Sequence, residues 1–301
     1  MLPGCQAYDA AFGKCGASSS SGVSCCSRVR GCGRHCAAGG LQPLSSTRGA
    51  GLSLPRIAWC RVCTVVVLVS PDRVLIAANR DERLDRPWDP PAAWWPERPG
   101  VVGGRDRSAG GTWMAINQGG VVATVLNRPG TLGPAAGKRS RGELPLLALE
   151  RATAAAAAEA IVGLDGGLWR GFNMVLADRT GAWFLSCIGH GRPHAEPLLA
   201  GVSMVTAYDP NDRDSPRTAR HLPRFQAAEQ SWNAWHAILS DQRGNPADQI
   251  NVAPRGGFGT VSSSFLTLAA DGDPIWLFAA GPPHRAPFRP VNLRSGIIVS
   301  D

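Results

Sequence analysis

Cys63 opens an apolar run, Cys-Thr-Val-Val-Val-Leu-Val, and sixteen residues later the chain reads Asn79-Arg80-Asp81-Glu82 at the end of a second such run. A cysteine that begins a chain carries a thiol with an ordinary pKa of about 8.5 and, two bonds from its Cβ, an α-amine near about 8. The amine can take the thiol proton directly or through one water, so a single residue supplies both nucleophile and base. A neighbouring guanidinium favours thiolate over thiol, and Arg80 is the natural source. Asp81 is placed to hold the α-ammonium. The pair Arg80-Asp81 reads equally well as an ion pair closing a hairpin. If Cys63 is internal, its nitrogen is a peptide nitrogen and this chemistry is lost.

The 62 residues ahead of Cys63 hold seven of the nine cysteines (Cys5, Cys15, Cys25, Cys26, Cys32, Cys36 and Cys60), many Gly and Ser, and no sustained apolar period. That is the composition of added sequence and not of a domain. No basic stretch is followed by an apolar core before Leu52, which excludes a secretory signal. The cysteine spacing is irregular, even with His35 beside Cys36, so it does not suit a zinc module. A disulfide framework needs an oxidising compartment, for which nothing else argues. Residues 1–62 are therefore expected to be an upstream stretch translated from too early a start, or a propeptide removed after Val62, with residues 63–301 forming a single domain. A GTG start codon at Val62 would begin the protein as Met-Cys-Thr, and Met is normally removed before a residue as small as Cys. Lys14 and Lys138 are the only lysines among 31 basic residues, which suggests a GC-rich genome in which such starts occur.

Seven basic residues against Asp9 put +6 of the formal +8 into this leader. The remaining charge, about +2, removes the electrostatic case for a nucleic-acid partner. The roughly 240 residues from Cys63 onward suffice for one large domain. No apolar stretch reaches the eighteen or so residues that span a bilayer. With only Cys63 and Cys187 left after the leader, the chain fits a reducing cytoplasm.

The elements that must position these residues are mostly hairpins. Thr64 to Val69 and Val74 to Ala78 are rich in β-branched residues and flank the turn signal Ser70-Pro71-Asp72-Arg73. Paired antiparallel, they bring Cys63 beside Asn79 to Glu82. The same pattern pairs Thr112 to Asn117 with Val121 to Leu126, Asn173 to Asp178 with Ala182 to Ile188, and Gly259 to Ala269 with Pro274 to Ala279. Glu143 to Leu164, with an Ala-rich centre, predicts one helix. Pro216 to Phe225 and Ser231 to Ser240 predict two shorter ones. This order gives an α+β fold with antiparallel sheets packed in layers. The Pro- and Trp-rich stretch from Leu84 to Arg107 is expected to be an ordered loop over a pocket, or a cap on a sheet end.

Cys63-Thr64 followed by Ala77-Ala78-Asn79-Arg80-Asp81-Glu82-Arg83 resembles the NRDE family, also called the transport and Golgi organisation family. The likeness continues through Gly110-Gly111-Thr112-Trp113, Asn127-Arg128, Gly171-Phe172-Asn173 and Gly259-Thr260-Val261-Ser262-Ser263-Ser264, and so extends over the chain from Cys63 onward. More distantly the chain is similar to choloylglycine hydrolases and penicillin V acylases, N-terminal nucleophile hydrolases that cleave linear amides with an N-terminal Cys. That similarity implies a four-layer αββα sandwich. Those enzymes carry an Arg-Asn-x-Asp signature after the Cys and an Ile-Asn to Leu-Asn pair further on, which Ile116-Asn117 and Leu126-Asn127 match. The resemblance implies Cys63 as nucleophile and Asn127 as donor to the oxyanion, and it points to Asn79, Trp113 and Asn117 around the substrate. Asn127 also reads as an Asn that starts a turn. The order Asn79-Arg80-Asp81 departs from the signature. A second Asn expected after a later strand is missing, with Asn211 the nearest substitute.

Other motifs carry less. Gly133 to Arg139 is one residue short of a phosphate loop and has Arg where Ser or Thr should bind metal, so it is expected to be a basic surface loop. His190 and His194 have no third ligand, and no metal site is expected. Cys187 reads as a core residue. Two classes remain: a Cys-dependent hydrolase of a small-molecule linear amide, needing no cofactor, and a binding or trafficking protein for a small ligand. For the second class, eukaryotic relatives imply Golgi organisation and haem movement, and haem ligation could use Cys or His.

Overall fold

The structure is a computed structural model that describes residues 63–294. The expected leader, residues 1–62, lies outside the described residues.

β1 (Thr64–Val69) and β2 (Arg73–Arg83) form the expected hairpin, in a register that sets Thr64 opposite Asn79 and Val69 opposite Val74. The turn is closed by Ser70, whose hydroxyl donates to Asp72 Oδ1 at 2.6 Å. β2 runs five residues past the expected Ala78, so Asn79 to Arg83 are strand and not strand end. The strand is held there by β11 (Phe258–Ala269), which pairs along its whole length with a bulge between Thr260 and Ser262. β10 (Gly201–Val205), β12 (Ile275–Ala279) and β13 (Arg289–Pro290) complete a six-stranded sheet in the order β10-β1-β2-β11-β12-β13.

The second sheet is a seven-stranded antiparallel meander in sequence order: β3 (Trp88–Ala92), β4 (Val102–Asp106), β5 (Thr112–Ile116), β6 (Val122–Asn127), β7 (Phe172–Asp178), β8 (Gly181–Cys187) and β9 (His194–Leu198). The Trp-rich stretch read as a loop is thus a strand pair at the sheet edge. Pro90 and Pro91 fall at an edge strand where the β3–β4 register breaks between Asp89 and Ala92, the kind of position a sheet leaves to proline.

Both sheets are buried on both faces, so their strands read as apolar runs. In β1, Val65 and Val67 join the core between the sheets, while Val66 and Leu68 face the helices. α1 (Glu143–Ala148) and α2 (Ala154–Val162) cover the meander; α3 (Pro216–Ala227) and α4 (Trp232–Leu239) cover the six-stranded sheet. The result is the four-layer αββα sandwich.

One expected helix is two. Asn117 Nδ2 donates to the carbonyls of Leu149 and Arg151, both at 2.9 Å, pulling the chain out of helical geometry. Thr153 restarts it by accepting from Ala156 N, and Asp178 accepts from Ala154 N at 2.7 Å. Side-chain capping of orphan N–H groups outweighs the propensity of the Ala-rich run. Among the described residues no helix is long and apolar enough to cross a membrane.

His221 in α3 is fully buried, with Nε2 2.8 Å from the Asp248 carbonyl and Nδ1 2.9 Å from Arg224 Nη1. A guanidinium only donates, so Nδ1 accepts and the ring is the neutral Nε2–H tautomer. Burial pushes its pKa down to about 4, helped by Arg224 and Arg220. The unfolded chain takes up this proton near pH 6.5 and the native one does not until about pH 4, so the contribution is intact above that window and is lost as pH falls through it. Denaturant unfolding at pH 7 and pH 4 should show the native sequence losing about 2 kcal/mol more than His221→Gln. Equal losses would remove this account.

Candidate active site

Alternation along β2 decides which residues face which way. Thr64 and Asn79 are directly paired, and both point to the helix side: Arg217 Nη1 donates to Thr64 Oγ1 at 2.9 Å, and Asn79 Nδ2 donates to the carbonyls of Leu239 and Ile250 at 3.0 and 2.9 Å. Ser263 donates to Asn79 Oδ1. Cys63 and Arg80 therefore share the opposite face, toward the second sheet, where Cys63 packs against the inter-sheet core.

Cys63 and Arg80 both line a cavity of about 600 Å³. Asp81, Trp113 and Asn127 line it too. The Arg80 guanidinium carbon lies 4.1 Å from the centroid of the Trp113 ring and 5.9 Å from that of Trp88, a cation–π stack that fixes the charge beside the thiol. Its Nη2 is 3.5 Å from Glu82 Oε2, while its buried Nη1 has no partner among the described residues. Trp113 lies over a gap left by Gly104, where a Cβ would come within 2.2 Å of the ring. Asn127, the last residue of β6, makes no side-chain hydrogen bond among the described residues, leaving its amide free to donate. A second cavity, about 20 Å³ and about one water in size, lies behind Cys63 and is bounded by Thr124, Ser262 and Ser264.

Asp81 is placed differently from the expectation. Its carboxylate lies on the helix side with a fully buried side chain, accepting from Arg217 Nη1 at 2.8 Å and from Thr260 Oγ1 at 2.6 Å. What it presents to Cys63 is its backbone: the thiol donates to the Asp81 carbonyl at 3.7 Å. Burial raises the Asp81 carboxyl above its ordinary value, with Arg217 and Thr260 pulling the other way. Burial also pushes the Cys63 thiol up to about 11, the Asp81 charge adding to the effect and Arg80 opposing it. Burial thus holds an internal Cys63 in its neutral thiol form at neutral pH.

Three expected substrate contacts are not brought into this cavity. Asn117 pins the α1–α2 break from the other end of β5. Asn211 adopts the left-handed region at φ 61° and closes the turn after β10, its Oδ1 accepting from Met204 N at 2.8 Å. Asn79 borders the smaller cavity, but its amide is committed to the helix side. Conversely, the stretch read as a basic surface loop supplies a cavity wall through Gly133, Pro134, Ala135, Lys138 and Arg139, joined by Arg141 and Arg170. Arg217 was also not expected at the site: the N-cap signal Ser215-Pro216 marks its helix, but its partner Asp81 is 136 residues away.

This geometry has two measurable outcomes. Arg217→Met leaves the Asp81 carboxylate buried without its cation and should cost about 3–5 kcal/mol by denaturant unfolding, with Asp81→Asn in the same chain restoring part of it. A loss under about 1 kcal/mol would show that the pair is not structural. In the 301-residue chain, alkylation of Cys63 by iodoacetamide should rise with pH toward a midpoint of about 11, followed by mass spectrometry of its peptide. A midpoint near about 8.5 would mean that burial does not govern the thiol.

Residues 63–237, more than half of the chain, match the family model described as Transport and Golgi organisation 2. Curated relatives include the Transport and Golgi organization 2 homolog of Mus musculus, 32% identical over 133 residues, and the corresponding Homo sapiens protein, 31% identical over 133 residues. Each match covers 42% of this chain and 47% of the relative, so the chain spans about half the length of the curated relatives it matches. Among solved structures, the Caenorhabditis elegans N-acylethanolamine-hydrolyzing acid amidase ortholog superposes with a TM-score of 0.50 at 13% identity, covering 70% of this chain and 94% of that one. That likeness is one of fold. By the match from Cys63 onward, the chain belongs to the Transport and Golgi organisation 2 family.

Proposed function

We propose that this protein is a cysteine amidohydrolase of the N-terminal nucleophile type, cleaving a linear carbon–nitrogen amide of a small molecule. The observation that carries the reading is the convergence of Cys63, the stacked Arg80 and the uncommitted amide of Asn127 on one cavity. An amide-cleaving protein shares the fold. The reaction needs Cys63 as residue one, through initiation at Val62 with loss of Met or through cleavage of the Val62–Cys63 bond.

With its amine free, Cys63 passes the thiol proton to its own nitrogen, directly or through a water in the small cavity behind it. The thiolate attacks the amide carbonyl carbon, and the oxyanion is met by Asn127 Nδ2–H. Arg80 favours the thiolate by its charge. As the tetrahedral species collapses, the C–N bond breaks and the α-ammonium protonates the departing amine. Water, deprotonated by the α-amine, then attacks the thioester, releasing the acid and the thiol. Asp81 positions the strand and offers Cys63 its carbonyl, while its carboxylate remains with Arg217. Both described cysteines are free, and a catalytic thiol of this kind is suited to a reducing cytoplasm.

A non-catalytic binding role for the same cavity is the second reading, favoured by the burial of Cys63 and the nearby Asp81 charge, which oppose thiolate formation while the residue is internal. A panel of acyl amides, assayed with a chain beginning at Cys63, separates the two. Turnover should vanish in Cys63→Ala and fall about a hundredfold in Asn127→Ala, and the chain retaining residues 1–62 should be inactive. Haem absorption without turnover of any amide would replace the hydrolase with a carrier.

A further inference from the structure

The charges lining the large cavity do not cancel. Arg80 is set against Glu82, Arg86 is held by Asp106 at 3.0 Å through Nε, and Arg139 is held by Glu143 at 2.8 Å. Asp81 is neutralised from behind by Arg217, and Arg83 pairs with Asp85 at the surface. What remains is Lys138, Arg141 and Arg170, all on one wall.

Among the described residues none of these three meets a carboxylate. Lys138 Nζ donates to the Gly167 carbonyl. Arg141 Nη1 donates to the Thr131 carbonyl at 2.8 Å, to Thr131 Oγ1 at 2.9 Å and to the Gly171 carbonyl at 3.0 Å. Arg170 donates from Nη1 to the Leu132 carbonyl at 2.7 Å and from Nη2 to the Gly130 carbonyl at 2.8 Å. Neutral carbonyls orient a guanidinium without cancelling its charge. Burial and the charges of Arg170 and Arg86 bring Arg141 down to about 10, so it remains a cation at neutral pH under repulsion from its neighbours. Each side-chain bond of Arg141 to the described residues uses Nη1. The Nε and Nη2 edge is unspent, and that edge offers two parallel N–H groups at the spacing of two oxygens on one oxyanion.

We propose that this cavity takes an anionic small molecule, with a carboxylate or phosphate gripped by the Nε and Nη2 edge of Arg141 and screened by Arg170 and Lys138. The placement of its reacting end at Cys63 rests on the hydrolase reading; the anion grip does not. A neutral ligand would leave the three cations uncompensated in a confined space, whereas an oxyanion removes their mutual repulsion and gains charge-assisted hydrogen bonds.

The test is calorimetric titration of the Cys63→Ala protein, which performs no chemistry, so an absence of amide turnover elsewhere leaves the result unaffected. The probes are hexanoate, hexyl phosphate and the uncharged hexanamide. At least one anion should bind about tenfold or more tighter than hexanamide, and the tighter of the two identifies the group. Added salt should weaken the anion and spare the amide. Arg141→Gln should abolish the preference, and Arg141→Lys, which keeps the charge but loses the paired donors, should lose most of it. Arg294→Gln, which removes a distant exposed charge paired with Asp273, should keep it. Equal affinity for all three probes, binding of none, or a full preference in either Arg141 variant with an unchanged unfolding midpoint would overturn the proposal.

Discussion

The buried ion pair between Asp81 and Arg217 is the constraint on which the rest of this site depends. Side-chain exposures of 0% and 2% mean that both charges have left water, at a cost of several kcal/mol that their close, hydrogen-bonded approach must offset. That geometry draws on Thr64 from β1, Asp81 from β2, Thr260 from β11 and Arg217 from α3. The guanidinium joins the helical layer to β1 and β2, and the Asp81 carboxylate extends the network to β11 through Thr260, next to Cys63. The chain cannot arrive at the cavity by a different route without exposing or orphaning one of these groups.

The same pair sets the division of labour within Asn79-Arg80-Asp81-Glu82. The four residues form one word in the sequence and two in space. Asn79 and Asp81 tie helices to the sheet, while Arg80 and Glu82 face the second sheet and set the electrostatics of the cavity. A shift of one residue in the register between β1 and β2 would exchange the two sets, placing an unpaired carboxylate beside the thiol and a guanidinium among apolar helix side chains. The long pairing of β2 with β11 and the buried pair both oppose that slip.

Much of the frame was legible in the sequence because its signals are local. Turn residues between β-branched runs mark the four expected hairpins, and Cys63 beside Arg80 is a consequence of the first of them. What was not legible depends on partners far along the chain. The break in the Ala-rich helix is made by Asn117, 32 residues before Leu149, against the preference of the local residues. Arg217 finds Asp81 only after folding, so the role assigned to that carboxylate, holding the α-ammonium, gave way to a structural one. The small net charge of the region after Val62 also concealed the cavity: cations and anions nearly balance in number over the domain, yet three of the cations gather on one wall. Charge totals describe how a protein behaves at a distance, and burial decides what a ligand meets.

Trp113 shows how far the shape of such a site can rest on a single ring. Its ring carries Arg80, and the ring has room only because Gly104 has no side chain, since any Cβ there would lie within 2.2 Å of it. Across relatives, the size of residue 104 and the size of residue 113 should therefore change together. A lineage that gains a side chain at the first position will have had to surrender the indole at the second, and with it the platform that holds a positive charge beside the cysteine.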